Sequence, residues 1–82
     1  ADSWRKRGYA LEMLGRFAEA EASYREAFSR APTAELGERL GATLLPQDRR
    51  DDAAAAFRDA ATRAANAAHA ARLTAYALLA EG

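Results

Sequence analysis

The chain has 82 residues, twelve basic and twelve acidic side chains, no cysteine and a formal net charge of zero. Half of it is apolar, but alanine dominates that half, so stability must come from helix propensity and close helix contacts, not from large buried side chains. Those numbers exclude disulfides and thiolate chemistry, and they give no general footprint for nucleic acid or an anionic membrane. No apolar run approaches the roughly 18 residues of a membrane span.

The elements read in chain order as helices. The first is expected over about Ser3 to Leu14, with Asp2 or Ser3 as N-cap, and Trp4, Gly8 and Leu11 on one face. Gly15 then supplies the residue that takes a left-handed conformation after a helix end. The second is expected over about Phe17 to Arg30, burying Phe17, Ala20, Tyr24, Ala27 and Phe28. Glu19, Glu21, Arg25, Glu26 and Arg30 fall mostly outside that stripe. Pro32 biases Ala31 away from helix and ends the element.

A third helix starts after Thr33, a candidate N-cap, and carries Leu36, Leu40, Gly41, Leu44 and Leu45 until Pro46 stops it. Asp51 or Asp48 would cap the fourth, about Asp51 to Ala65, with Ala53, Ala54, Phe57, Ala60 and Ala61. Asn66 marks a break. The fifth, about Ala67 to Glu81, carries Leu73, Tyr76, Leu78 and Leu79. No stretch alternates as a half-buried strand does, so the chain is expected to be all-α.

Shifted by 33 positions, the sequence matches itself: Gly8 falls on Gly41, Leu11 on Leu44, Ala20 on Ala53, Tyr24 on Phe57 and Ala27 on Ala60. Small residues fall on small and large on large. A helix hairpin of this kind cannot bury both its faces alone, so the repeat implies stacking.

The run Trp4-x-x-Arg7-Gly8-x-x-Leu11, then Ala20-x-x-x-Tyr24-x-x-Ala27, then Pro32 resembles the tetratricopeptide repeat, whose signature is Trp-x-x-Leu-Gly-x-x-Tyr, Ala-x-x-x-Phe and Pro. A second unit matches at Leu40, Gly41, Ala53, Phe57 and Ala60. The resemblance implies a single α-solenoid domain of antiparallel hairpins. Repeat one covers 1–33, repeat two 34–66, and 67–82 forms either the first helix of a third repeat or a closing helix. Three departures stand out: Arg7 replaces leucine, Gly37 stands where the tryptophan would be, and Asp48 and Arg50 occupy the places of Gly15 and Phe17. With Pro46 nearby, the second hairpin is expected to be irregular between Leu44 and Arg50.

The residues offer little for catalysis. His69 is the single histidine and has no partner ligands for a transition metal. Asp48, Asp51 and Asp52 lack calcium-loop spacing and are better read as helix-capping residues. Ser3, Ser23 and Ser29 have no activating base nearby in sequence. On a helix, Arg5-Lys6-Arg7 points in three directions and reads as a solvated face. The chain is therefore expected to be non-catalytic, without cofactor or metal, and to engage neither nucleic acid nor membrane.

The resemblance implies that the first helices of successive repeats line a concave, partner-binding surface. On this chain those positions are Asp2, Arg5, Tyr9, Glu12 and Met13, then Glu35, Glu38, Ala42 and Leu45. The last helix adds His69, Arg72, Tyr76 and Leu79. One subgroup of the family clamps the carboxylate end of a chaperone peptide with basic and asparagine side chains; Arg5 and Arg72 could stand in for the basic members, but Tyr9 and Ala42 stand at the asparagine places, which disfavours such a clamp. The expected function is a cytoplasmic protein–protein interaction scaffold that binds a peptide or helix of a partner. The alternatives are a homodimerisation module, or a regulatory appendage of a larger protein.

Overall fold

In the computed structural model, which describes residues 2–81 with side chains described from Ser3, α1 spans Asp2–Met13, α2 Phe17–Arg30 and α3 Ala34–Leu44. A 3-10 turn, Leu45–Gln47, leads into α4 at Arg50–Arg63, and α5 spans Ala67–Glu81. Among the described residues there is no strand. Each helix packs on the one before it. Short connections make neighbours antiparallel, so α1, α3 and α5 run in one direction and α2 and α4 in the other.

The helices come close together at three glycines. A Cβ on Gly8 would stand 2.7 Å from the Tyr24 ring, and one on Gly41 2.7 Å from the Phe57 ring. The ring itself therefore lies on the glycine and sets the spacing of each hairpin. Gly37 has a different role, since its Cβ would meet that of Ala60 at 2.8 Å. Where the first repeat carries Trp4, the second brings α3 directly onto α4. The helical cost of that glycine, about 1 kcal/mol relative to alanine, is offset by the contact it permits.

Two apolar clusters form the core. Ala20, Tyr24 and Ala27 of α2 meet Leu36 and Leu40 of α3, with Trp4, Leu11 and Phe28 partly buried against them. Leu44, Ala53, Phe57 and Ala60 meet Leu73, Ala77 and Ala80 of α5. In each cluster a hairpin is completed by the first helix of the next unit, as stacking requires. The position occupied by Arg7, Leu40 and Leu73 at intervals of 33 follows the same logic. Leu40 and Leu73 are buried against α2 and α4, whereas Arg7 is exposed and lays its guanidinium over the Trp4 ring, 5.8 Å from its centroid.

The turns correct several expectations. Gly15 has φ +78° and Asp48 φ +60°, so the left-handed residue recurs after 33 positions although its identity changes. Asp tolerates this region better than most residues with a Cβ. The backbone bonds recur with it: Arg16 N–H donates to Leu11 O and Arg49 N–H to Leu44 O, then Ala20 N–H to Arg16 O and Ala53 N–H to Arg49 O. The expected irregularity is thus confined to the 3-10 tightening at Pro46; the turn beyond it keeps the geometry of the first hairpin. Asp48 and Asp51 do not cap α4. Its N-cap is Arg49, without a side-chain bond, and Asp51 and Asp52 sit in the first turn, where the helix dipole favours their charge. Ser3 lies inside α1 because that helix begins a residue earlier than expected.

Two side-chain caps are in register. Thr33 Oγ1 accepts from Leu36 N–H at 3.2 Å, and Asn66 Oδ1 from His69 N–H at 2.8 Å. They lie 33 residues apart, so α5 starts where a third first helix would. Of its larger apolar residues only Leu73 is buried; Tyr76, Leu78 and Leu79 are exposed.

Glu21 also departs from expectation, being 8% exposed instead of facing water. Its carboxylate takes Arg25 at 2.7 Å, Arg49 at 2.9 Å and Gln47 Nε2 at 3.2 Å, tying α2 to the second turn. Burial opposes its ionisation, but the hydrogen bonds from Arg25 and Gln47 and the charges of Arg25 and Arg49 together outweigh it. The carboxyl is held below its ordinary value of 4.5. A depressed folded-state pKa stabilises the fold above the ordinary value and loses that contribution as pH falls through the depressed one. Glu21→Gln is therefore expected to cost about 1–3 kcal/mol at neutral pH and to flatten the acid limb below pH 4.5, measured by thermal melts across pH. Gly8→Leu is expected to lose about 1–3 kcal/mol or more by overpacking. Adding Tyr24→Ala should recover part of that loss in a double-mutant cycle, because the clash is with that ring.

Candidate functional site

With α2 and α4 forming the other layer, α1, α3 and α5 present their outer faces together, and α3 is the wall common to two grooves. The first groove, about 410 Å³, lies between α1 and α3 and is lined by Arg5, Lys6, Tyr9, Tyr24, Glu35 and Arg39. Arg5 reaches Glu35 at 3.5 Å, and the Arg39 guanidinium lies over the Tyr9 ring, 5.3 Å from its centroid. Glu12 supports this floor from below. Its Oε1 accepts the Tyr24 hydroxyl at 2.9 Å and lies 3.8 Å from Arg39 Nη1. Burial, then that carboxylate as acceptor and neighbouring charge, push the Tyr24 phenol far above its ordinary value. It remains a neutral donor across the physiological range.

The second groove, about 720 Å³, lies between α3 and α5 over the start of α4. Ala42, Leu45, Pro46, Phe57, Tyr76, Leu79 and Ala80 make it apolar, with Glu38 and Arg50 at its margins. Tyr76 stacks obliquely on Phe57, with centroids 5.5 Å apart. The same ring that fills the space over Gly41 thus also forms groove floor. Glu38 is held by Arg72 and His69, each at 3.4 Å, and Asp48 lies 4.0 Å from Arg50.

The residues expected from the sequence therefore fall into two sets. Arg5, Tyr9 and Glu35 gather in the first groove; Glu38, Ala42, Leu45, Tyr76 and Leu79 gather in or beside the second. Glu12 is partly buried structural support, with 13% of its side chain exposed. Met13 is exposed but lines neither groove, and Arg72 and His69 act through Glu38. The Asp2 side chain lies outside the described residues. Sequence reasoning missed Arg39 and Lys6 in the first groove and Pro46 and Arg50 in the second. Arg39 was findable, since it stands one helical turn beyond Glu35 on the same face.

Between α2 and α4 runs a third groove of about 430 Å³, floored by Gly37, Leu40 and Leu44. The Arg63 guanidinium sits 5.1 Å from the Phe28 centroid. Among the described residues no group of three or more His, Asp or Glu side chains could hold a metal, and no helix is long and apolar enough to cross a membrane.

Two stacked helix hairpins at a 33-residue period, followed by a fifth helix in the same register, define an all-α helical repeat of the tetratricopeptide type. The family model of the tetratricopeptide repeat matches residues 1–34, the segment that holds Gly8, Tyr24 and Pro32. Over that segment the chain is similar to the tetratricopeptide repeat family, whose members generally mediate protein–protein interaction and act as non-catalytic scaffolds. No curated protein and no solved structure matches the chain at a significant level.

Proposed function

We propose that this chain is a non-catalytic scaffold that receives a peptide or helix of a partner protein on the concave surface formed by α1, α3 and α5. In this reading 1–82 is one domain, with repeats at 1–33 and 34–66 and α5 opening a third or closing the array. The observation that carries it is the pair of grooves on either side of α3. They assemble aromatic, apolar and charged side chains from three helices on one layer, while the scaffold residues Gly8, Ala20, Gly41 and Ala53 lie beneath. Tyr9 at 48% exposure, Leu45 at 42% and Leu79 at 74% offer apolar surface that folding leaves uncovered. Such surface supplies affinity, and the surrounding charges set register and association rate.

A second reading is supported by the exposure of Tyr76, Leu78 and Leu79 along α5: a second copy of the chain covers them. Light scattering over a concentration series separates the two. The scaffold reading expects a folded monomer at micromolar concentration, and a dimer whose formation requires Leu78 and Leu79 would replace it.

For the scaffold reading, peptides selected from a random display library against the domain are expected to bind in the grooves. Tyr9→Ala combined with Leu79→Ala should weaken them by about tenfold or more, equivalent to 1.4 kcal/mol, with helicity by circular dichroism unchanged. Selected peptides whose affinity ignores both substitutions would reject the site.

A further inference from the structure

The two grooves differ in chemistry, and the difference specifies an occupant. The first carries Arg5, Lys6 and Arg39 against Glu35 at its rim and Glu12 beneath its floor, in a chain whose net charge is zero. Its lining also includes Tyr9 and the buried Tyr24. Arg5 is engaged with Glu35, and Arg39 is braced between the Tyr9 face and Glu12. Such bracing holds a guanidinium in place at the groove, and a guanidinium is suited to a carboxylate. The second groove is apolar from Ala42 and Leu45 to Tyr76 and Leu79, and Glu38 at its margin is already satisfied by Arg72 and His69.

Resting on the scaffold reading above, we infer that the partner is an extended segment carrying an acidic residue for the α1–α3 groove and one large apolar side chain for the α3–α5 groove. Charge complementarity assigns each element to its groove. A basic segment would set its charge against Lys6 and Arg39, and a wholly polar one would leave the larger groove unfilled.

The backbone fixes the spacing. Along α3 the centres of the two linings are offset by about 7 Å at 1.5 Å per residue, and crossing the helix from one groove to the other adds about one helix diameter, roughly 10 Å. The diagonal is roughly 12 Å, the reach of about four extended residues. Glu35 and Arg39 of α3 face one groove, and Glu38 and Ala42, with Leu45 just past the helix end, the other, so a segment laid obliquely over this single helix meets both.

The test is a fluorescence-anisotropy titration of the intact 82-residue chain with synthetic peptides. Each sets an Asp-Glu pair and one Leu or Phe between two and eight residues apart, with Lys-for-acid and Ser-for-apolar controls. Affinity is expected to peak at a separation near four and to fall as salt rises. Arg39→Glu should weaken the best peptide by about tenfold or more, whereas Glu35→Gln, which removes the groove's own carboxylate, should tighten it a few-fold. Leu79→Ser should abolish the preference for Leu or Phe over Ser. All three positions are substantially exposed, so circular dichroism is expected to match wild type.

Binding that favours the Lys controls, ignores the apolar residue, or is unmoved by Arg39→Glu would overturn the partner class. If the peptides fail while library-selected peptides of another chemistry still depend on Tyr9 and Leu79, the inference falls and the scaffold reading stands. Failure of both sets to depend on the grooves rejects the two together.

Discussion

The contact of an aromatic ring with a glycine on the facing helix governs this structure. Tyr24 on Gly8 and Phe57 on Gly41 leave no room for even a methyl group, and that fixes how near each pair of helices comes. With alanine making up so much of the core, a wider spacing would remove the contacts that small side chains need. Ala20, Ala27, Ala53 and Ala60 are fully buried because the rings hold the hairpins at that distance. The rings also reach the other side of the layer: Tyr24 lines the first groove and Phe57 the second. The floor of each groove is therefore a by-product of the hairpin contact.

A second constraint is polar and acts between hairpins. Glu21, buried between Arg25, Gln47 and Arg49, fastens the end of the α3–α4 turn to α2. Together with the Pro46 turn it keeps the second hairpin in the geometry of the first, although Asp48 and Arg50 replace Gly15 and Phe17. Identity changes while backbone geometry is kept. The repeat is accordingly clearer in the hydrogen bonds of Arg16 and Arg49 than in the residues of the two turns.

Much of the fold was legible because its determinants are local or periodic. Helix ends follow from Gly15, Pro32, Thr33 and Asn66, and the stacking follows from the 33-residue echo of small and large residues. The α4 cap was misread because Asp48 and Asp51 are favourable capping types in sequence, but the chain reverses at Asp48 and leaves Arg49 at the cap. Burial of Glu21 was invisible because its partners lie 26 and 28 residues away.

For the candidate site, the resemblance to the tetratricopeptide repeat placed Arg5, Tyr9, Glu35, Glu38, Ala42 and Leu45 on one layer. It could not separate them into a basic-aromatic groove and an apolar one, nor assign Glu12 to the floor and Met13 to neither. By itself the sequence determined an all-α repeat, its period and its helix boundaries to within a residue or two, since each depends on neighbours in the chain. Only the tertiary structure decided which charges are spent on one another and which surfaces remain open. Those outcomes depend on side chains brought together from α1, α3 and α5, and no spacing along the chain encodes the distances between them.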